Sequence, residues 1–314
     1  MTALQFGIDL GGTKTEVIVL DSLGQTRFRQ RVPTPARQYD AIISTIADLV
    51  KQAEHVLKTK ASALGVGAPG TPYGEQGLIK NANTTCLIGQ PLALDLSAAL
   101  GIPVMVENDA NCLTLSEATD GSGAGAACVF GVILGTGVGG GLVVRGHLVN
   151  GPNRITGEWG HNPMPIRGGH PRSDRISRPC YCGLHDCVET YLCGRGLLTT
   201  YHELTDDRSV SISAGQVAER ATQGDPLCQA ALDQYVEDLS LALSGVINII
   251  DPDVVVFGGG LSKLSGICDQ VNRRLRAYIF SDEPQTVLRI AKHGDSSGVR
   301  GAAWLTQRCV TTNR

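Results

Sequence analysis

The chain has 314 residues, 42% of them hydrophobic and 18% charged, with a formal net charge of −3 at pH 7. That is enough apolar chain for two ordinary domains with real cores, and it excludes a disordered polymer. The slight acidity offers no basic field for a nucleic-acid partner.

In chain order, residues 4–10 and 15–21 are apolar runs on either side of Gly11-Gly12, which predicts a hairpin, and 25–32 reads as a third strand. Residues 38–57 form an amphipathic helix, with Ile42, Ile46, Leu49, Val50 and Ala53 at helical spacing. Strands at 62–67 and 102–106 and helices at 91–100 and 110–119 complete a β-β-β-α-β-α-β-α half. Residues 121–144 carry no charge and are long enough to span a bilayer. Nine glycines break that run, so two buried strands around Gly135-Thr136-Gly137 explain it, and no membrane span is expected. Phe6–Thr13 resembles the run from Phe130 to Gly137, and the repeated strand–glycine turn–strand unit implies two similar α/β domains. Their expected limits are 1–120 with 298–314, and 121–297, with a hinge near 120–125. A long helix at 225–250, a strand at 254–257, Gly258-Gly259-Gly260, a helix at 262–278 and a last helix at 299–310 follow.

Four residues stand out: His161-x18-Cys180-Tyr181-Cys182-x4-Cys187. Three thiolates and an imidazole form a closed tetrahedral zinc site. Glu158 and Glu189 bracket it, so the metal would fix two acids. The other cysteines, 86, 112, 128, 193, 228, 268 and 309, read as small apolar residues. The N-terminus lacks a basic signal segment, so a cytoplasmic chain with reduced thiols is expected. Asn83-Thr84-Thr85 then matches a glycosylation sequon by chance.

Two glycine turns suit phosphate. Asp9-Leu10-Gly11-Gly12-Thr13-Lys14 lets backbone N–H groups close on phosphate oxygens, with Asp9 placed to hold water on a magnesium ion. Gly135-Thr136-Gly137-Val138-Gly139-Gly140-Gly141 has five glycines in seven residues, which a plain hairpin does not need. No P-loop is present. Gly65-x-Gly67-x-x-Gly70 and Gly135-x-Gly137-x-x-Gly140 match a dinucleotide fingerprint, but neither runs into a helix as NAD binding requires. Asp109, in Glu107-Asn108-Asp109, lies between a strand and a helix, either as N-cap or as a general base. His161 is read as a metal ligand through one nitrogen, with the other free for a substrate hydroxyl.

Together these residues resemble the ROK family of sugar kinases, from Gly7 to Ala303. The turn from Asp9 to Lys14 is similar to its first phosphate motif, Gly135–Gly141 to its second, and Gly258-Gly259-Gly260 to its adenosine loop. Glu158-x-Gly160-His161 and Cys180-x-Cys182-Gly183-x-x-x-Cys187-x-Glu189 are similar to its signature. Two positions depart from the pattern: Asp186 replaces a usual glycine, and Cys193 a usual serine or alanine. The resemblance implies a two-domain α/β fold of the actin and hexokinase kind with a cleft, a homodimer, and ATP with magnesium as phosphoryl donor. Asp109 becomes the base. Asn83, Asn108, Glu158, His161, Glu189 and the Gly70 backbone become hexose contacts. Asp9, Gly11, Gly12, Thr13, Lys14, Thr136, Gly137, Gly139, Gly140, Gly258 and Gly259 become nucleotide contacts, and zinc on His161, Cys180, Cys182 and Cys187 is structural. Segments 80–83, 158–163 and 291–295 are most similar to fructokinases that accept mannose, with N-acetylglucosamine kinases and glucokinases as neighbours. The family's repressors carry a DNA-binding segment before the first phosphate motif, for which Asp9 leaves no room here.

Overall fold

The computed structural model describes residues 4–165, 177–205 and 211–307. The chain opens with β1 (Gln5–Leu10), β2 (Lys14–Leu20) and β3 (Thr26–Pro33), then α1 (Tyr39–Leu57), β4 (Leu64–Ala68), the short hairpin β5 (Thr71–Tyr73) and β6 (Leu78–Lys80), α2 (Leu92–Leu100), β7 (Val104–Asn108) and α3 (Asp109–Thr119). Next come β8 (Cys128–Leu134), β9 (Val138–Val144), β10 (His147–Leu148), α4 (Glu189–Leu192), α5 (Gly194–Thr205), α6 (Ala214–Thr222), α7 (Pro226–Ile250), β11 (Val254–Gly258), α8 (Ile267–Leu275), β12 (Val287–Ile290) and α9 (Ser297–Leu305). The expected strands and long helices are present. The helix expected at 262–278 is shorter, because Gly266 enters it at positive φ and a 3₁₀ turn takes Gly260–Lys263. Of the expected last helix, residues 308–310 lie outside the described residues, as does Cys309.

Two compact units result. The first takes in the described residues of Met1–Gly125, Gly141–Thr156 and Lys292–Arg314, and the second those of Ala126–Gly140 and Gly157–Ala291. Relative to the expected limits, Gly141–Thr156 groups with the first unit, and the chain returns to that unit at Lys292 instead of 298. Close packing explains the first difference: Gly141 lies against Asn111 and Thr114 of α3, where a Cβ would meet Asn111 Oδ1 at 2.9 Å.

The first unit's sheet has the order β3-β2-β1-β4-β7, antiparallel through the β1–β2–β3 meander and parallel across β1, β4 and β7. β1 and β4 are buried along almost their whole length, as strands covered on both faces must be. α1 buries Ile42, Ile46, Leu49 and Val50 against one face. Each such side chain contributes about 1.5–3 kcal/mol. α9 lies so close to β1, β4 and α3 that a Cβ on Gly7, Gly65 or Gly301 would overlap the backbone of Ala303, Ala302 or Cys112. At the unit's edge the fully buried Glu117 carboxylate accepts from Ser122 N, Lys292 N, His293 N and Ser297 Oγ at 2.8–3.1 Å.

The second sheet has the order β10-β9-β8-β11-β12, with β8, β11 and β12 parallel. β11, Val-Val-Val-Phe-Gly, is buried throughout. α7 starts on an Asp225 cap whose Oδ1 accepts from Leu227 N and Cys228 N, with Pro226 in its first turn. The nine described cysteines are all free. No helix among the described residues is long and apolar enough to cross a membrane.

Candidate active site

The register across the first unit's parallel strands sets Asp9 beside Gly67, and Gly67 beside Glu107. Asp9 and the Glu107-Asn108-Asp109 segment therefore reach the same carboxyl edge of the sheet, where open α/β sheets hold their ligands. From Asp9 the chain turns through Gly11, Gly12 and Thr13, closed by Gly11 N–H donating to Lys14 O at 2.9 Å. Thr34 Oγ1 buttresses it by donating to Gly11 O at 2.8 Å. Gly12, Thr13 and Lys14 stay exposed, so the turn's outer face is open to an anion.

The capping role offered to Asp109 falls to its neighbour. Asn108 Oδ1 accepts from Asn111 N at 2.7 Å, and Asp109 is the first helical residue, accepting from Ala110 N at 2.8 Å. Asn108 keeps extended backbone (φ −72°, ψ 164°), which is the geometry an N-cap needs. The Asp109 carboxylate is solvent-accessible, yet desolvation by the surrounding protein raises its pKa, opposed by the N–H groups of Ala110 and Asp109 itself. Asp9 is pushed from 3.8 to about 6, chiefly by burial, then by the charges of Asp109 and Glu16, with Arg31 opposing.

Gly70 adopts φ +85° and presses on Lys80 O, so the turn after β4 sits on the end of β6. That strand leads into the exposed Asn83. Sequence reasoning missed a staple behind this edge. Glu107 accepts from Asn111 Nδ2 (3.1 Å), Asn150 Nδ2 (2.6 Å) and Arg154 Nη1 (3.2 Å). Its partners are 43 and 47 residues away, and no local pattern announces them.

In the second unit, His161, Cys180, Cys182 and Cys187 come together, their four donor atoms all within 4.8 Å of one another. His161 Nδ1 is 3.6 Å from Cys180 Sγ, and Cys182 Sγ is 3.6 Å from Cys187 Sγ. Bonds of about 2.3 Å to sulfur and about 2.1 Å to nitrogen in a tetrahedron separate the donors by about 3.6–3.8 Å, so the set fits zinc. Asp186 accounts for its own departure from the glycine pattern. It sits at φ +57°, a region Asp enters more readily than most residues, and its carboxylate is held by Arg178 N, Ser177 Oγ and Tyr191 Oη at 2.6–2.8 Å. Cys193 Sγ accepts from Gly196 N at 3.3 Å in the α4–α5 corner.

One expectation fails here. His161 Nε2, read as free, lies 2.9 Å from Tyr181 Oη, with the two rings edge to face at 5.1 Å. The Tyr181 phenol is pushed up to about 12, first by burial, then by the charges of Glu189 and Glu158. Both acids therefore act electrostatically on that hydroxyl. Glu189 also reaches the second glycine turn, where its Oε2 accepts from Val138 N at 2.8 Å. A Cβ on Gly137 would meet that oxygen at 2.7 Å. The cysteine-rich segment and the Gly135–Gly137 turn are thus joined by one carboxylate.

A cavity of about 1060 Å³ opens beside that turn, lined by Gly135, Thr136, Arg195, Ser213, Gly260 and Lys263 among others. It is large enough for a nucleotide. Of the expected nucleotide contacts it gathers Thr136 but not Gly137, Gly139, Gly140, Gly258 or Gly259. Gly259 instead packs on the backbone of Leu134, while Gly139 and Gly140 lie under Trp159, whose Nε1 donates to Gly139 O at 3.0 Å. Ser213 and the start of α6 were missed, although Ser213-x-x-Gln216 is a legible capping box.

The ROK family profile matches residues 5–309. An N-acetyl-D-glucosamine kinase of Escherichia coli O139:H28 is 40% identical over 303 residues, covering 96% of this chain and 99% of the relative. Among solved structures, a ROK hexokinase from Thermus thermophilus superposes with a TM-score of 0.84 at 28% identity, over 98% of this chain and all of the other. A ROK glucokinase from Streptomyces griseus, solved with glucose and AMPPNP, gives 0.76 at 27% identity over the same shares. The fold is the actin- and hexokinase-like one. The chain belongs to the ROK family, and the relatives just named are sugar kinases.

Proposed function

We propose that this protein transfers the γ-phosphoryl group of ATP to the 6-hydroxyl of a hexose, with N-acetylglucosamine the leading substrate. The observation that carries the kinase reading is the strand register that brings the Asp9 turn and Asp109 to one sheet edge. The leading sugar rests on the 40% identity to N-acetyl-D-glucosamine kinase, which displaces the fructose expected from short segments. One of those segments, 291–295, gives its Lys292 and His293 N–H groups to Glu117, and its Lys292 and His293 side chains to Asp120. Those bonds give the segment a part in the fold.

Asp109 takes the proton from the 6-hydroxyl as the oxygen attacks in line, a contribution of about 10²–10⁴-fold. Its raised pKa makes it a better base than an ordinary aspartate. In the first unit Asn108 Nδ2, Asn83 and the Gly70 backbone hold sugar hydroxyls. Asn108 Oδ1 is already engaged in the cap. In the second unit Glu158, His161 and the second oxygen of Glu189 do the same. The first glycine turn and Thr136 contact phosphates, and the cavity takes the nucleoside. Magnesium carried with ATP supplies charge neutralisation. Asp9 fits as its partner, since the acids that raise the Asp9 pKa make that spot attractive to a cation. Zinc on His161, Cys180, Cys182 and Cys187 would have all four positions filled by protein and would serve a structural role.

The test is a coupled ADP-release assay across N-acetylglucosamine, fructose, mannose and glucose at fixed ATP. N-acetylglucosamine should give the highest kcat/KM. A higher value for fructose would reverse the substrate assignment, and no sugar-dependent ADP release would reject the kinase reading.

A further inference from the structure

Tyr181 stands between two of the clustered cysteines, and its hydroxyl holds the one nitrogen of His161 that faces away from the sulfurs. No part of the proposed mechanism uses it. The residue is 77% exposed, so its position is not explained by packing in the core, and the desolvation that raises its phenol is local to the hydroxyl. Its ring meets the imidazole edge to face, and the carboxylates of Glu158 and Glu189 both act on its phenol. Tyr181 thus touches one of the three residues assigned to sugar hydroxyls in this unit and lies in the field of the other two.

We propose that Tyr181 is an affinity-setting residue of the sugar site, its hydroxyl occupying the His161 Nε2 position that a sugar hydroxyl must take over. This rests on the reading of Glu158, His161 and Glu189 as sugar contacts. With Nδ1 facing the thiolates, Nε2 carries the proton and donates to Tyr181 Oη. A sugar hydroxyl can accept that N–H only when the phenol leaves. The exposed tyrosine can swing into solvent, where water satisfies its hydroxyl. The exchange replaces one hydrogen bond by another, so each sugar loses the net strength of a single bond.

Removing the hydroxyl should return that strength. Tyr181→Phe should tighten hexose binding about two- to tenfold, the range of one net hydrogen bond. The readout is calorimetric Kd for N-acetylglucosamine without nucleotide, with KM and kcat measured alongside. KM should fall with Kd while kcat stays constant, a split that a merely structural role would not produce. Tyr181→Leu, which lacks both ring and hydroxyl, should bind at least as tightly as Tyr181→Phe. Zinc content of each variant, measured by elemental analysis, should match the parent. An unchanged or weakened Kd in Tyr181→Phe overturns the proposal, since it would show that the phenol is a bystander or a direct sugar contact. Glu158→Gln separates the two levels. If it leaves Kd unchanged, the sugar assignment of this surface fails and takes the Tyr181 inference with it. If it weakens binding while Tyr181→Phe does not tighten it, only the Tyr181 inference is lost.

Discussion

Asp9→Asn should make the ligand-free protein more stable while crippling it as a catalyst. Asp9 rises from its ordinary 3.8 to about 6 on folding, mainly through burial and the nearby charges of Asp109 and Glu16. A carboxyl raised in the native state makes folding take up a proton between those two values. The stability this gives is fully present below pH 3.8 and is lost as pH rises through 6. At 1.36 kcal/mol per pH unit, the loss at neutral pH is about 3 kcal/mol. The carboxylate lies against Gly298 in the first turn of α9, and a helix N-terminus favours the anion, so about 3 kcal/mol is a ceiling and about 1–3 kcal/mol the expected gain in Asp9→Asn. The assay is urea unfolding of parent and variant from pH 4 to 8, without nucleotide or magnesium, comparing midpoints at equal slope. The gain should be near zero at pH 4 and reach its plateau above pH 6. A variant no more stable than the parent at pH 7.5, or one whose advantage is the same at pH 4, would refute the reasoning.

Asp109→Asn should lower kcat by about 10²–10⁴ with near-normal ATP binding, and retained turnover would remove Asp109 from the base role. Chelation should lower both the melting temperature and hexose affinity, because zinc on the cluster would fix His161 and, through the flanking chain, Glu158 and Glu189; calorimetry of metal-free protein reads both, and full retention of either would refute this. Gly301→Ala should cost more than about 3 kcal/mol, since its Cβ would overlap the Cys112 carbonyl and force α9 off α3; a variant with the parent's urea midpoint would contradict that packing. Glu117→Ala should cost about 3–5 kcal/mol by leaving a buried set of four donors without its acceptor, and the same measurement decides it.

The local part of the fold was legible because its causes are local. Helical spacing from Ile42 to Ala53 marks α1, and Gly11-Gly12 between two apolar runs marks the first hairpin, with no help from the rest of the chain. The cysteine spacing around Tyr181 announced the Cys₃His cluster for the same reason: tetrahedral ligation asks for those donor types close together in the chain. The cap went to Asn108 instead of Asp109 because two adjacent residues both suit the role, and only backbone torsion chooses between them. The short β5–β6 hairpin and β10 left almost no pattern, being two or three residues long.

What sequence alone determined was chemistry: which side chains carry charge, ligate metal or let backbone turn, and hence which family of reactions suits the chain. Tertiary structure alone decided their company. It buried Asp9 within the field of Asp109 and so raised its pKa, gave Glu107 its distant partners, and closed Tyr181 onto a histidine nitrogen that had looked free. The physical reason is that a side chain's identity is fixed by covalent structure, whereas its field and its hydrogen-bond partners depend on atoms tens or hundreds of residues away.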